Sequence, residues 1–326
     1  MGYVGRRAIA EAVSDVDLDI AAGEILGVVG ESGCGKTTLA VALLGLIEPP
    51  GRILAGTAHL ATRDGAMLDV LHLSPRRQRE IRWKEIAYVP QGSMSALNPV
   101  LRVRDQMTDT AIEHGLSKLE AEQRSRWALQ LVGLDAAVLD KYPHELSGGM
   151  MQRVTIATAI IMQPSVLVAD EPTTALDVVT QRTILQELMK IREKFGTTIV
   201  LISHDMAVMA QVADRLAVMY VGHIVEVGAV SQIFDAPLHP YTQKLIDSIP
   251  RRTGQRLEGL KGESPSIWRY PPGCRFHPRC PHVMSVCSTQ KPDLIEHRAQ
   301  HWAACHLYPS AMIGTNGKAS PGVMHG

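Results

Sequence analysis

No stretch of the 326-residue sequence approaches the roughly 20 consecutive apolar residues that a membrane-crossing helix needs; the longest runs, such as Ile156 to Met162, are far shorter. The N-terminus, MGYVGRRAIAEAV, lacks the apolar core of a secretory signal. These two absences predict a chain that stays in the cytoplasm, able to dock on something in a membrane but not to cross one. Net charge is missing too, since 33 Lys+Arg balance 33 Asp+Glu. That argues against a bulk electrostatic grip on nucleic acid or on an anionic membrane surface. There is no internal repeat and no run of heptads. What remains is globular in composition, at 45% hydrophobic and 20% charged residues, and long enough for one large domain with an appendage.

Along the chain, residues 12–20 alternate apolar and polar side chains, the pattern of a half-buried strand. Ile25 to Val29 is a continuous apolar run, as in a strand buried on both faces, and Thr37 to Leu46 has helical spacing. A short strand is expected at Ile86 to Val89, a helical insertion from Leu101 to about Leu139, and a helix opened by Ser147 that runs to about Met162. Three more apolar strands follow, at Val166 to Ala169, Thr198 to Ile202 and Leu216 to Tyr220, the first two separated by a helix over 179–194. Strands alternating with helices predict an α/β fold, a parallel sheet with helices on both faces. Beyond about Gly228 the character changes. HPYTQKLIDSIP reads as a short helix, residues 251–273 are rich in Gly, Pro and Arg, and the last dozen residues look disordered.

The stretch GESGCGKTT, Gly30 to Thr38, follows the apolar run at 25–29 and opens the next helix. It fits G-x-x-x-x-G-K-[ST], the phosphate loop of P-loop nucleotidases. Gly30, Gly33 and Gly35 let backbone N–H groups converge on a phosphate without side-chain clash, and Glu31, Ser32, Cys34 and Thr38 complete the cradle. Lys36 supplies a point charge for the β and γ phosphates, and Thr37 a hydroxyl for Mg²⁺. Cys34 is read as a small filler of a variable position. The sharper alternative is a reactive thiol, because a helix N-terminus lowers thiol pKa. A nucleotide hydrolase also needs a carboxylate for the metal and a group to orient water. The run at 166–169 ends in two acids at the carboxyl edge of a buried strand: Asp170 to hold Mg²⁺ and Glu171 to polarise the attacking water.

At this point the sequence resembles the ABC-type ATPases over about residues 3–230. LSGGM at Leu146 to Met150 resembles the family's signature loop, with Met150 where Gln is usual. Pro90-Gln91 resembles the Q-loop, Ala175 to Asp177 the D-loop, and Ser203 to Asp205 the switch-histidine segment, all in the family's order. The resemblance implies an ABC cassette with a RecA-like core, residues 1–235, and a helical subdomain at about 92–158. It implies ATP and Mg²⁺ as ligands, Gln91 reaching the metal, and His204 at the γ phosphate. Ser147, Gly148 and Gly149 then close on nucleotide held by a second cassette packed head to tail. Tyr3 is the one aromatic residue available to stack on adenine, and the strand that the family places ahead of it is missing from this sequence.

The tail narrows the resemblance. SMSALNPVLRV after Gln91, HPYTQKLIDSIP, and GCRFHPRC at Gly273 to Cys280 look like the oligopeptide/dipeptide/nickel branch of ABC importers, whose ATPases carry a C-terminal extension, here 236–326. Cys274, Cys280, Cys287 and Cys305 lie in it with five, six and seventeen residues between successive members. The close C-x₂₋₄-C pairs of compact zinc sites are absent. Resemblance to the branch implies a small metal-binding extension holding a 4Fe-4S cluster on those four thiols. Zinc and unmetallated thiols remain the alternatives, with His277 or His282 able to replace a ligand. The implied function is the ATP-hydrolysing subunit of an importer for di- or oligopeptides. It would sit peripherally on the cytoplasmic face of the membrane, with a second, different ATPase chain, two membrane permease subunits and an extracytoplasmic substrate-binding protein, and without nucleic acid. Nickel or oligosaccharide import is the near alternative. A soluble ABC ATPase acting on nucleic acid or ribosomes is the distant one.

Overall fold

The structure is a computed structural model that describes residues 1–5, 8–92, 96–249 and 262–308. The tail expected to be disordered lies outside the described residues, as does part of the 251–273 segment. The chain opens with strands β1 (Gly2–Val4) and β2 (Ile9–Glu11). Next come β3 (Ile25–Val29), helix α1 (Lys36–Leu43) and the short strands β4 (Gly51–Arg52), β5 (His59–Ala61) and β6 (Met67–Asp69). Helix α2 (Pro75–Ile81) leads into β7 (Ile86–Val89). The helical insertion holds α3 (Val103–Glu113) and α4 (Lys118–Leu131), followed by α5 (Gly148–Ile160). The second half runs β8 (Val166–Asp170), α6 (Val178–Phe195), β9 (Thr198–Ser203), α7 (Met206–Val212), β10 (Arg215–Tyr220) and β11 (His223–Ala229). Helices α8 (Val230–Asp235) and α9 (Pro240–Asp247) precede β12 (Ile295–Arg298) and β13 (His301–Ala303).

The main sheet has the order β12-β13-β11-β10-β3-β9-β8-β7. Strands β10, β3, β9, β8 and β7 are mutually parallel, whereas β11, β13 and β12 continue the sheet antiparallel. Every residue of β3 and β9 is buried, as the unbroken apolar runs predict for strands covered on both faces. Helix α5 fills one side with Val154, Ile156, Ala157 and Ile160, each at most 1% exposed. The insertion is held in helical form by a capping box: the Ser117 side chain accepts from the Glu120 N–H, and the Glu120 carboxylate accepts from the Ser117 N–H.

One expected strand is not there. Residues 12–20 form no regular element, and the nearby strands are β1 and β2. The alternation is nevertheless real. Val13 is buried, Val16, Leu18 and Ile20 pack on the core, and Asp15, Asp17 and Asp19 face solvent. What is missing is a partner strand for the backbone, and Asp15, at φ 51°, takes the chain out of the extended region. Periodicity reports burial, and here burial came without pairing. Tyr3 sits in β1, which pairs with β2 and β4 in a small separate sheet.

Candidate functional site

Parallel strands put their carboxyl ends on one edge, and the register brings four segments there. Val29 pairs with Ser203, and Asp170 with Ile202. The loop after β3, the acids ending β8, the histidine after β9 and Gln91 just past β7 therefore share one rim.

At the phosphate loop, Gly30, Gly33 and Gly35 have φ of 154°, 78° and 106°. The values at Gly33 and Gly35 belong to the left-handed side, where a side chain is strained. A Cβ on Gly30 would lie 2.1 Å from the Met219 carbonyl oxygen. Helix α1 has Gly35 as N-cap with no side-chain cap, so the N–H groups of its first turn stay open to an anion. Lys36 is buried, and its Nζ donates to the carbonyls of Gly30 and Glu31 at 2.8 and 3.1 Å. Ser32, Gly33 and Thr37 are exposed on the crest, and the Thr38 hydroxyl lies 3.5 Å from that of Tyr3. Cys34 is 4% exposed, and burial pushes its thiol up despite the neighbouring Lys36. That supports the filler reading and removes the basis for a reactive thiol. The Glu31 side chain turns away from the loop toward the C-terminal extension, where Arg279 takes it.

Asp170 is fully buried. Its Oδ2 accepts from the Tyr88 hydroxyl at 3.2 Å, the Thr37 hydroxyl lies nearby and favours the charged form, and Oδ1 has no partner among the described residues. Burial pushes its pKa above the ordinary carboxylate value, against the pull of those hydroxyls. An orphaned buried carboxylate oxygen beside a threonine hydroxyl is an oxygen donor set that suits a hard cation such as Mg²⁺. Glu171 sits at φ 46°, a conformation that a non-glycine residue keeps only when its surroundings impose it. Three side chains converge on its carboxylate. Gln91 Nε2 donates at 3.1 Å, the Thr174 hydroxyl donates at 2.8 Å, and His204 Nδ1 lies at 3.1 Å. Burial opposes the charge on Glu171, but the bonds from Thr174 and His204 outweigh it, and the carboxyl lies below its ordinary value.

Ser147 caps α5 by accepting from the Met150 N–H at 3.3 Å. A Cβ on Gly149 would lie 2.6 Å from Thr180 Cγ2, so the loop needs glycine to pack on the start of α6, which Asp177 caps. Among the described residues, none of the hydrogen bonds of Ser147, Gly148 or Gly149 goes to the phosphate loop.

The sequence reading missed Tyr88 and Thr174. Tyr88 is the one aromatic side chain of an otherwise aliphatic strand, which was a usable signal. Thr174 carried none beyond its place in a turn.

The four clustered cysteines are all free. The Cys274 N–H donates to the Cys287 carbonyl at 2.8 Å. Burial raises Cys274, Cys280 and Cys305, the last to about 11. Among the described residues, however, no group of three or more Cys, His, Asp or Glu side chains is set to hold a metal ion. The metal-binding character expected of the extension is thus not shown. The His277 Nδ1 lies 2.9 Å from the Cys274 carbonyl oxygen, which leaves Nε2 as the ring nitrogen that could replace a ligand.

Comparison with known proteins bears on the same segments. The family described as "ABC transporter" matches residues 13–174, and "Oligopeptide/dipeptide transporter, C-terminal region" matches 225–287. The dipeptide transport ATP-binding protein DppD of Caldanaerobacter subterraneus is 41% identical over 311 residues, 94% of each chain. The oligopeptide transport ATP-binding protein AppD of Bacillus subtilis is 42% identical over 303 residues, 91% of each chain. Among solved structures, the dimeric MJ0796, a bacterial ABC transporter cassette, superposes with a TM-score of 0.61 at 29% identity, over 70% of this chain and 95% of that one.

Proposed function

The chain belongs to the ABC transporter ATPases, in the group with the oligopeptide/dipeptide transporter C-terminal region, and from that premise we propose that it hydrolyses ATP to power import of dipeptides or oligopeptides. The relatives' names favour peptides over nickel or oligosaccharides. The observation that carries the chemistry is the convergence of Gln91, Thr174 and His204 on the ionised carboxylate of Glu171.

In this reading the triphosphate takes the open N–H groups at the start of α1, and Lys36 exchanges the carbonyls of Gly30 and Glu31 for phosphate oxygens. Tyr3 stacks on the base. Thr37, Asp170 and Gln91 hold Mg²⁺, which when bound neutralises charge on the phosphates. Glu171, ionised at neutral pH, accepts a hydrogen bond from the attacking water and draws its proton. His204 steadies Glu171 and bonds the γ phosphate. Ser147, Gly148 and Gly149 are not engaged by the chain's own phosphate loop, which supports their closing on the nucleotide of a second cassette. The dimeric state of MJ0796 is in line with that.

The second cassette is a different chain, and the pair acts on two membrane permease subunits supplied by an extracytoplasmic binding protein. No helix among the described residues is long and apolar enough to cross a membrane; the likeness to importer ATP-binding subunits supports a peripheral seat on the cytoplasmic face. A unit of residues 1–235 followed by an extension remains our division of the chain. Within that extension Cys274, Cys280, Cys287 and Cys305 hold a 4Fe-4S cluster. The resemblance of this segment to the importer branch supports it, together with four cysteines between residues 274 and 305. Iron and sulfide analysis of the purified protein tests the cluster, and stoichiometric zinc without iron refutes it. For the function, the subunit is co-purified with its membrane partners and reconstituted in vesicles. Peptide-stimulated phosphate release is expected. Co-purification with ribosomes or DNA, or indifference to peptide, refutes it.

A further inference from the structure

The segment between Cys274 and Cys280 reaches the phosphate loop by two routes. Arg279 forms a two-pronged pair with Glu31, Nη1 to Oε2 at 2.7 Å and Nη2 to Oε1 at 3.0 Å, with its side chain only 5% exposed. Arg275 donates from Nη1 to the Val221 carbonyl at 2.5 Å, and the N–H of the adjoining Gly222 donates to the Cys34 carbonyl at 2.7 Å. Val221 and Gly222 form the tight turn between β10 and β11, with φ of 43° and 82°. A β-branched residue is seldom found at such a φ, so packing from outside holds the turn in place. A third contact comes from α9, where the Tyr241 hydroxyl accepts from the Glu31 N–H at 2.8 Å. Behind these contacts the rings of Tyr220, Tyr241 and Phe276 pack with centroids 4.6 to 5.5 Å apart.

The loop is thus held at Glu31 and Cys34, on both sides of its exposed crest. A glycine-rich loop has much backbone freedom to lose on binding. A loop fixed beforehand loses less of it when the ligand arrives. We propose that the 274–280 segment is a positioning element of the phosphate loop, with Arg279 and Arg275 holding Glu31 and Cys34 so that the loop's N–H groups are set for a triphosphate before it binds. Neither arginine contacts Asp170, Glu171 or His204, so the effect falls on nucleotide affinity. The proposal rests on nucleotide binding at this loop alone and not on peptide import, so each can fail without the other.

The test uses the full-length chain and trinitrophenyl-ATP as a fluorescent probe. Arg279→Ala should raise Kd about tenfold, as loss of a charge-assisted pair implies. Arg279→Lys keeps the charge but loses the fork, and should give an intermediate loss. Glu31→Gln combined with Arg279→Ala should lose no more than the worse single variant. Amide exchange in nucleotide-free Arg279→Lys should quicken over residues 31–38 and stay unchanged in β3. Wild-type affinity in both arginine variants, additive losses in the double variant, or unaltered exchange in the loop each overturn the proposal. If Arg279→Ala does not fold, the Arg279→Lys affinity and exchange decide it.

Discussion

The five parallel strands and the C-terminal stretch 262–308 are parts of one sheet, yet they are held by different forces. Strands β3 and β9 are buried at every residue and joined by parallel backbone ladders. Among its described residues, the 262–308 stretch has two short strands and two single-turn helices, buries Phe276 and Ala303, and is fixed further by isolated polar side chains. His301 Nε2 lies 2.7 Å from Glu226 Oε1 with both residues fully buried. Arg279 grips Glu31, the Tyr270 hydroxyl donates to the Glu11 carbonyl, and Lys291 pairs with Asp15. Apolar burial builds the first region and leaves a chemical edge at its rim. In the second, long-range polar pairs add to a smaller apolar contact and press it onto that edge.

The largest expected effect is at the rim. Glu171→Gln removes the carboxylate on which Gln91, Thr174 and His204 converge and leaves every contact of the extension in place. Phosphate release should fall by about two to three orders of magnitude, while trinitrophenyl-ATP binding persists and the closed pair accumulates on size exclusion. Unchanged turnover would take Glu171 out of its role. This rim was the most legible part of the sequence. Apolar runs end at Gly30, Asp170 and His204, and parallel topology does the rest. The extension was not legible in the same way, because Arg279 lies 248 positions from Glu31 and Tyr270 259 from Glu11. No local period records such a pair. Residues 12–20 show the converse, a true period without the strand it predicts.

His301→Ala leaves Glu226 buried without its ring partner, although that carboxylate still accepts from the N–H groups of Leu238 and His239. The cost should be about 2–3 kcal/mol, confined to the extension. A first, low-denaturant transition should separate from unfolding of the core, and protease should cut the 262–308 region early. A single cooperative transition, merely shifted, would mean that the two regions are one unit.

Glu187 in α6 tests the rule that the core is apolar. It is 4% exposed, its Oε2 has no partner, and burial raises its pKa from 4.5 to about 7 against the pull of Arg153 and Lys190. The folded chain therefore keeps a proton that the unfolded chain releases. Stability is fullest below pH 4.5 and is lost as pH rises through about 7. Glu187→Gln should flatten that slope and stabilise the protein by about 2 kcal/mol at pH 8, with little effect at pH 4.5. Urea titrations at the two pH values decide it, and identical slopes for both proteins would show that the carboxyl has found a partner.

The smallest effect is expected where the two regions meet. Cys34 joins them through its backbone, because its carbonyl accepts from Gly222, which the Arg275-held turn presents. Its thiol is buried and fills space. Cys34→Ala should therefore cost less than about 1 kcal/mol and leave trinitrophenyl-ATP affinity within about twofold. The wild-type thiol, raised by burial, should alkylate slowly at neutral pH even without nucleotide. If Cys34→Ala instead loosened nucleotide as much as Arg279→Ala does, the loop would owe its shape to its own packing. The extension would then be a passenger on the sheet and not a brace against it.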